Sequence, residues 1–320
     1  MEDYPRSLAE FEARFSTEGG CRGYLMALRW PDGFRCPRCD NRRVWPTTRG
    51  RLECASCAHQ ISVTAGTIFQ DTRLPLTVWF RSIWWLTSQK TGSSALGLQR
   101  VLGLGSYKTA WTWLQKLRRA MVRPGRDRLK GRVEVDEAYL GGLDEGHPGR
   151  GQARKALIVV AAEEDGSQIG RIRMRQLDAA SAENLQAFLK DSVAAGSIVH
   201  TDGWPGYAGL ESKGYVHEVT MRGPRPQAAS KLMPRVHRVI SLLKRWLMGT
   251  HQGAVSREHL DYYLDEFTFR FNRRTSRHRG KLFLRLLENA VQVEPAPYKS
   301  IIRPKQNTEH KPLGSPESSK

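Results

Sequence analysis

The sequence predicts an α/β chain in three parts: a metal-held β ribbon, a helical unit of helix-turn-helix type, and a mixed sheet flanked by helices. Three observations carry this. Two CxxC pairs, Cys36/Cys39 and Cys54/Cys57, stand 14 residues apart among Pro, Gly and Arg. Residues 75–122 keep a helical apolar period, with Ser and Gly at the boundaries. From Arg132 the period changes to that of strands, interleaved with helical stretches.

Charge bounds the partner. The 320 residues include 51 Lys and Arg against 32 Asp and Glu, a formal net charge of +19. A surplus of that size points to a polyanion, nucleic acid before a membrane surface. With 39% hydrophobic residues the chain can build a core. The longest apolar run, Ala156 to Ala162, is far too short to span a bilayer, so no membrane partner is expected. The acidic, amphipathic start lacks the apolar stretch of a signal peptide. Paired cysteines in such a chain indicate metal rather than disulfides, and the expected compartment is the cytoplasm, at the nucleoid.

Along the chain, residues 7–29 read as helical and interrupted at Gly19-Gly20, and 31–63 as the ribbon. Leu76 to Ser88 reads as one helix, Ser94 caps a second to about Leu102, and Gly103-Leu104-Gly105 is a turn. Ser106 caps a third helix with Ala110, Trp113 or Leu114, Leu117 and Met121 as its core stripe. Pro124-Gly125 closes the unit. Strands are expected at 133–140, 156–162, 170–177, 197–201 and 216–220, with a helix over 181–193. Three more helices follow at 235–248, 257–272 and 280–291. The boundaries so drawn are 1–30, 31–63, 75–124 and 131–292, with a polar, disordered tail at 293–320. No internal repeat is visible.

Each CxxC pair suits a tight knuckle whose thiolates face one ion. Two knuckles close a tetrahedron, the arrangement of structural Zn²⁺, held by Cys36, Cys39, Cys54 and Cys57. The competing reading, two redox motifs, lacks the βαβ context. So little apolar sequence surrounds the cysteines that the ion should supply most of the local folding energy. His59 reads as a bystander.

The helix, glycine-rich turn and helix over 94–122 resemble a helix-turn-helix. Opposite its core stripe the third helix carries Lys108, Thr112, Gln115, Lys116 and Arg119, which would reach phosphates and base edges. From Arg100 to Arg132 there are ten basic residues and one acid, Asp127. A small helical bundle that only bridges two domains is the alternative.

Two acids fall where strands end. Asp136 lies on the first strand, followed by Glu137, and Asp202 ends the buried run Ile198-Val199-His200-Thr201. A carboxylate buried at a strand end needs a partner, and two on adjacent strands can hold a pair of hard cations. Taken singly, either could be a turn residue. Both together in so basic a chain favour metal-dependent chemistry on DNA.

Four segments make the reading specific. They are Val133-Glu134-Val135-Asp136-Glu137-Ala138-Tyr139-Leu140-Gly141-Gly142, Thr201-Asp202-Gly203-Trp204-Pro205-Gly206-Tyr207, Ser241-Leu242-Leu243-Lys244-Arg245, and the stretch from Tyr263 to Arg274 containing Phe271-Asn272-Arg273-Arg274. In this order they resemble bacterial insertion-sequence DDE transposases, the group with a zinc ribbon ahead of an RNase H-like domain. The resemblance spans roughly residues 7–290. It implies an RNase H-like fold, Mg²⁺ or Mn²⁺, binding of double-stranded DNA as terminal inverted repeats and target, and strand cleavage followed by transfer. Lys244 matches the family's basic residue for the DNA backbone, and Arg245 stands beside it. The expected assembly is a homo-oligomer on DNA.

The chain departs from the family at one point. The family places a Glu on the helix before the Ser241 segment, where this sequence has His237. No Asp or Glu occurs between Val219 and Arg257 to replace it. His237 is expected as the third catalytic metal ligand with Asp136 and Asp202, giving a softer, less negative site that favours Mn²⁺ over Mg²⁺. The alternative is that His237 packs or touches phosphate. Two functional rivals share these features: a zinc-ribbon DNA-binding regulator with an inactive catalytic domain, and a metal-dependent nuclease without strand transfer. No glycine-rich dinucleotide loop follows any strand, so an oxidoreductase reading has no support.

Overall fold

The computed structural model describes residues 3–48, 50–123, 125–141, 155–220 and 232–302. These form two compact units, one of Met1–Arg123 with Ser276–Lys305 and one centred on Pro124–Thr275.

In the first unit, α1 (Leu8–Phe15) and α2 (Glu18–Arg29) begin at Ser7 and Thr17, whose hydroxyls accept from the N–H groups of Glu10 and Gly20. The interruption therefore falls at Ser16-Thr17, and Gly19 and Gly20 lie inside the first turn of α2. Gly20 is there because a Cβ would stand 2.6 Å from the Arg14 carbonyl oxygen. The ribbon is a three-stranded antiparallel sheet of β1 (Val44–Pro46), β2 (Leu52–Cys54) and β3 (Gln60–Ile61). Next come α3 (Leu76–Ser88), α4 (Ala95–Leu102) and α5 (Tyr107–Ala120). Ser94 caps α4 through the Gly97 N–H, and Gly103 ends it at φ 62°, a left-handed conformation that glycine adopts without strain.

The helix expected to end the catalytic domain, α9 (Arg279–Ala290), belongs to this first unit and packs on α3, α5 and α2. Its Phe283 is fully buried in an aromatic cluster with Phe11, Phe15, Tyr24, Phe80 and Trp84. Nor is the start of the expected tail loose. Val293, Ala296 and Ile301 are buried, the last on a short helix α10 (Tyr298–Ile302). These apolar side chains were outweighed in the sequence by neighbouring Pro, Glu and Lys. Residues 303–320 lie outside the described residues.

The second unit is built on a five-stranded mixed sheet, order β6-β5-β4-β7-β8. β4 (Arg132–Leu140), β5 (Ala156–Asp165) and β6 (Gln168–Leu177) form an antiparallel meander. β7 (Ile198–Thr201) lies parallel to β4, and β8 (Val216–Val219) parallel to β7. This is the RNase H-like arrangement. Strand alternation sorts the side chains. Val133 and Val135 join the core under α6 (Ala182–Ser192). Ala138 and Leu140 join the core under α7 (Pro234–His251) and α8 (Leu260–Phe271).

Edge strand β6 is protected by the segment that ends α8. The Asn272 carboxamide accepts from the Ile172 N–H at 2.7 Å and donates to the Ile172 carbonyl at 3.2 Å. Asp261 accepts from the Gln176 N–H, and Arg274 donates to the Gly170 and Ile169 carbonyls. Side chains thus occupy a backbone edge that would otherwise be open to another strand.

Candidate metal centres and DNA-facing residues

The ribbon brings its four cysteines together. One sulfur from each of Cys36, Cys39, Cys54 and Cys57 lies within 4.8 Å of all the others. Cys36 and Cys57 Sγ are 3.6 Å apart, and Cys39 and Cys54 Sγ 3.5 Å. A Zn²⁺ with Zn–S bonds near 2.3 Å needs tetrahedral edges of about 3.8 Å, so the residues fit the ion. The knuckles are alike. Asp40 N–H donates to the Cys36 carbonyl and Ala58 N–H to the Cys54 carbonyl, and Asp40 and Ala58 take the left-handed φ of 57° and 55° that turns the chain past its second sulfur. The N–H groups of Cys57 and Ser56 aimed at Cys54 pull its thiol down to about 6, while against the Asn41 N–H the hydrogen bonds from the neighbouring sulfurs push the Cys39 thiol up to about 12, so the four sulfurs share protons that a metal would displace. His59 is not part of the cluster.

The two acids come from neighbouring strands. β4 and β7 pair in parallel with Val133 opposite Val199 and Glu134 opposite His200. Continuing that register sets Asp202 beside Asp136. Asp136 shares the α7 face with Ala138, and from α7 His237 Nδ1 comes within 3.6 Å of Asp136 Oδ2. His237 Nε2 is buried and has no hydrogen-bond partner among the described residues, as a ring nitrogen reserved for a ligand would be. The three side chains do not, however, close to the 4.8 Å spacing seen for the cysteines. Asp202 Oδ1 accepts from the Trp204 N–H at 3.1 Å.

Four side chains around this site went unassigned in the sequence: Glu134, Arg235, Glu137 and Tyr207. Glu134 is 1% exposed, and its carboxylate accepts from the N–H groups of Arg235 and Val236, both at 2.8 Å, and from the Arg235 guanidinium at 3.1 Å. It caps the N-terminus of α7, where a helix is short of acceptors and the dipole favours an anion. Arg235 is tied in turn to Glu164 and to the carbonyls of Gly166 and Gln168. The start of α7, and His237 one turn inside it, are thereby fixed to the sheet. On the opposite face Glu137 accepts a hydrogen bond from the buried Tyr207 hydroxyl. Burial pushes the Glu137 carboxyl up to about 7, against that bond, and the negative charges of Asp136 and Asp202 push the same way. The signal for Glu134 was available: in Val133-Glu134-Val135-Asp136 it shares the Asp136 face, and a buried acid needs a partner.

The expected DNA face of α5 is only partly open. Gln115 is fully buried with its carboxamide oxygen on Arg118, and Thr112 is buried with its hydroxyl on the Lys108 carbonyl. Gln115 is therefore a core residue and not a DNA contact. Lys116 and Arg119 are half-buried, and burial lowers the Lys116 ammonium. Lys108 is exposed, but its Nζ sits 4.1 Å from the centre of the Tyr298 ring. α5 is partly covered because α4, α9 and α10 all pack on it. Lys244 and Arg245 are exposed on α7, with Arg238 and Ser241 on the same open strip. Among the described residues no helix is long and apolar enough to cross a membrane.

Residues 128–272 match the family model of the ISXO2-like transposase domain, and residues 16–60 match that of the transposase zinc-ribbon domain. The chain thus carries a transposase zinc-ribbon domain ahead of an ISXO2-like transposase domain. A relative from Halobacterium salinarum, an uncharacterized protein in transposable element ISH50, is 28% identical over 298 residues, covering 87% of this chain and 98% of its own. Among solved structures, the catalytic core domain of BIV integrase is 16% identical with a TM-score of 0.27, over 43% of this chain and 81% of that one. The Mos1 strand transfer complex is 13% identical with a TM-score of 0.27, over 67% and 75%. Scores this low carry no argument about the site. The transposase-domain match spans Asp136, Asp202 and His237.

Proposed function

We propose that this transposase binds the terminal inverted repeats of its own insertion sequence, cuts the DNA strand there and joins the freed end to target DNA, acting as a homo-oligomer in the cytoplasm. The observation that carries the reading is the parallel register of β4 and β7, which sets Asp136 beside Asp202 with His237 reaching in from α7. Two carboxylates and an imidazole with an unclaimed nitrogen suit divalent cations, Mn²⁺ or Mg²⁺. Such ions, when bound, would activate a water or 3′-hydroxyl and stabilise the leaving oxygen. Asp136 and Asp202 supply the negative charge, and Glu134 holds the helix that carries His237. Lys244 and Arg245, exposed further along α7, are suited to grip the phosphate backbone. Lys244 lies seven residues beyond His237, about 10 Å along the helix axis.

The role of His237 is tested by exchange of metal. His237→Ala should abolish cleavage of a repeat duplex, and His237→Glu should keep it while shifting the preference from Mn²⁺ toward Mg²⁺, since a carboxylate restores a hard ligand. An Ala variant that cleaves like the parent would remove His237 from the site.

A further inference from the structure

The backbone pairing of β4 with β7 stops before either acid is reached. It runs from Arg132 opposite Ile198 to Glu134 opposite His200. Beyond that pair β4 continues to Leu140, whereas β7 ends at Thr201. Asp136 and Asp202 thus both lie past the last rung of the ladder that joins their strands, and something besides that ladder must fix how far apart their carboxylates stand.

Side chains on the far face of the sheet do this. Val133 and Val135 face the core under α6, and alternation puts Glu137 in the same row while Asp136 faces α7. Tyr207 is fully buried in that α6 core, and its hydroxyl donates to the Glu137 carboxylate. A phenol buried this deeply needs an acceptor for its proton, and Glu137 supplies it. Tyr207 ends the 3-10 turn Pro205–Tyr207, which follows closely on Asp202.

Between Asp202 and Tyr207 the chain is held at several points. The Thr201 hydroxyl, hydrogen-bonded to His217 Nε2 at 2.9 Å, accepts from the Gly203 N–H at 3.2 Å. Asp202 Oδ1 accepts from the Trp204 N–H, Trp204 Nε1 donates to the Ala180 carbonyl at 3.0 Å, and the Tyr207 N–H donates to the Trp204 carbonyl at 3.0 Å. A Cβ on Gly206 would stand 2.8 Å from Cδ1 of the fully buried Leu185, so only glycine lets the turn settle on α6. A turn so tied moves as one piece, and a shift of Tyr207 is passed to Asp202. Of these ties, the Tyr207 hydroxyl is the one that reaches β4, at the residue next to Asp136.

We propose that Glu137 and Tyr207 are positioning residues for the reaction: their hydrogen bond fastens the Asp202 turn to β4 from the α6 face and so sets the spacing of Asp136 and Asp202 on the other. The proposal rests on the reading of those two acids as metal ligands. Glu137 acts through the sheet, not on the ions, because its carboxylate and that of Asp136 lie on opposite faces.

The test uses the full-length, zinc-loaded chain. Mn²⁺ binding is read from the EPR signal of the free ion, and the Mn²⁺ dependence of cleavage from a labelled repeat duplex, with Asp136→Asn as the reference for loss of the site. Tyr207→Phe removes one oxygen and should raise both the Mn²⁺ Kd and the Mn²⁺ concentration for half-maximal cleavage about tenfold, with duplex affinity unchanged. Glu137→Gln keeps an acceptor for the hydroxyl and should shift both less than Tyr207→Phe, whereas Glu137→Ala should shift them at least as far. If Tyr207→Phe does not fold, Glu137→Asp, which draws the acceptor back by one methylene, carries the test with the same expectation. A folded Tyr207→Phe with the parent's Mn²⁺ curve would overturn the proposal and leave the reading of the acids standing. A Glu137→Gln variant as blind to Mn²⁺ as Asp136→Asn would make Glu137 a ligand and overturn it too. If Asp136→Asn itself bound Mn²⁺ like the parent, the reading of the acids would fall and the proposal with it.

Discussion

At the scale of single residues, the account turns on Glu134. It is a buried carboxylate whose oxygens are taken by two backbone N–H groups and a guanidinium, all at the start of α7. Removing it would leave Arg235, itself only 18% exposed, short of a partner as well as unfastening the helix. Glu134→Ala should therefore cost about 3 kcal/mol of stability, seen as a lower Tm, and should reduce cleavage more than DNA binding. Glu134→Gln keeps one oxygen, which can still accept both N–H groups while the guanidinium loses its acceptor, and should fall between. A Glu134→Ala variant as stable as the parent would mean that α7 is held by its apolar face alone. In the sequence Asp202 stood out because it follows the end of a strand, and His237 because it stands where a carboxylate was expected; Asp136, expected at a strand end, lies instead in the middle of β4. Glu134 was not read because its partners lie about a hundred residues away, across a register that only the folded sheet supplies.

At the scale of elements, the strands and most helices followed from period and caps, while the environment of α5 did not. Its stripe of Ala110, Leu114 and Leu117 is buried as expected, but Thr112, Gln115 and Arg118 are buried too. A polar face on a helix looks like a solvated or DNA-contacting face until the elements that cover it are known, and here α9 and α10 come from the far end of the chain. α8 carries a further prediction. Burial pushes the Asp265 carboxyl from 3.8 up to about 7, opposed by Arg126 and aided by Asp261. A carboxyl whose pKa is higher folded than unfolded binds more protons in the folded state between those values. Its contribution is full below pH 3.8 and is lost as pH rises through about 7. Asp265→Asn should therefore flatten the fall in Tm across that window and raise Tm relative to the parent at pH 8. An unchanged pH profile would show that the carboxyl is solvated.

At the scale of the whole molecule, the first unit closes only when the chain returns to it. Phe283 on α9 fills the centre of an aromatic cluster whose other members come from residues 11–84. Nothing in the local pattern of 279–290 said which core its apolar stripe would join, and proximity in sequence favoured the wrong one. Phe283→Ala should cost about 3–5 kcal/mol, the usual result of emptying a large aromatic site, and should loosen α1, α2 and α3 together in hydrogen exchange. If protection fell in α9 alone, the cluster would not be a cooperative core.

As proposed, the Asp136 and Asp202 carboxylates on neighbouring strands β4 and β7 are the metal-binding acids of a strand-cutting and strand-joining enzyme. The most direct measurement is cleavage and transfer of a labelled repeat duplex into plasmid DNA with Mn²⁺, for the parent and for Asp136→Asn and Asp202→Asn. The account predicts that the parent gives both cut and joined products, and that each variant gives neither while still binding the duplex. Cleavage retained in either variant would contradict it.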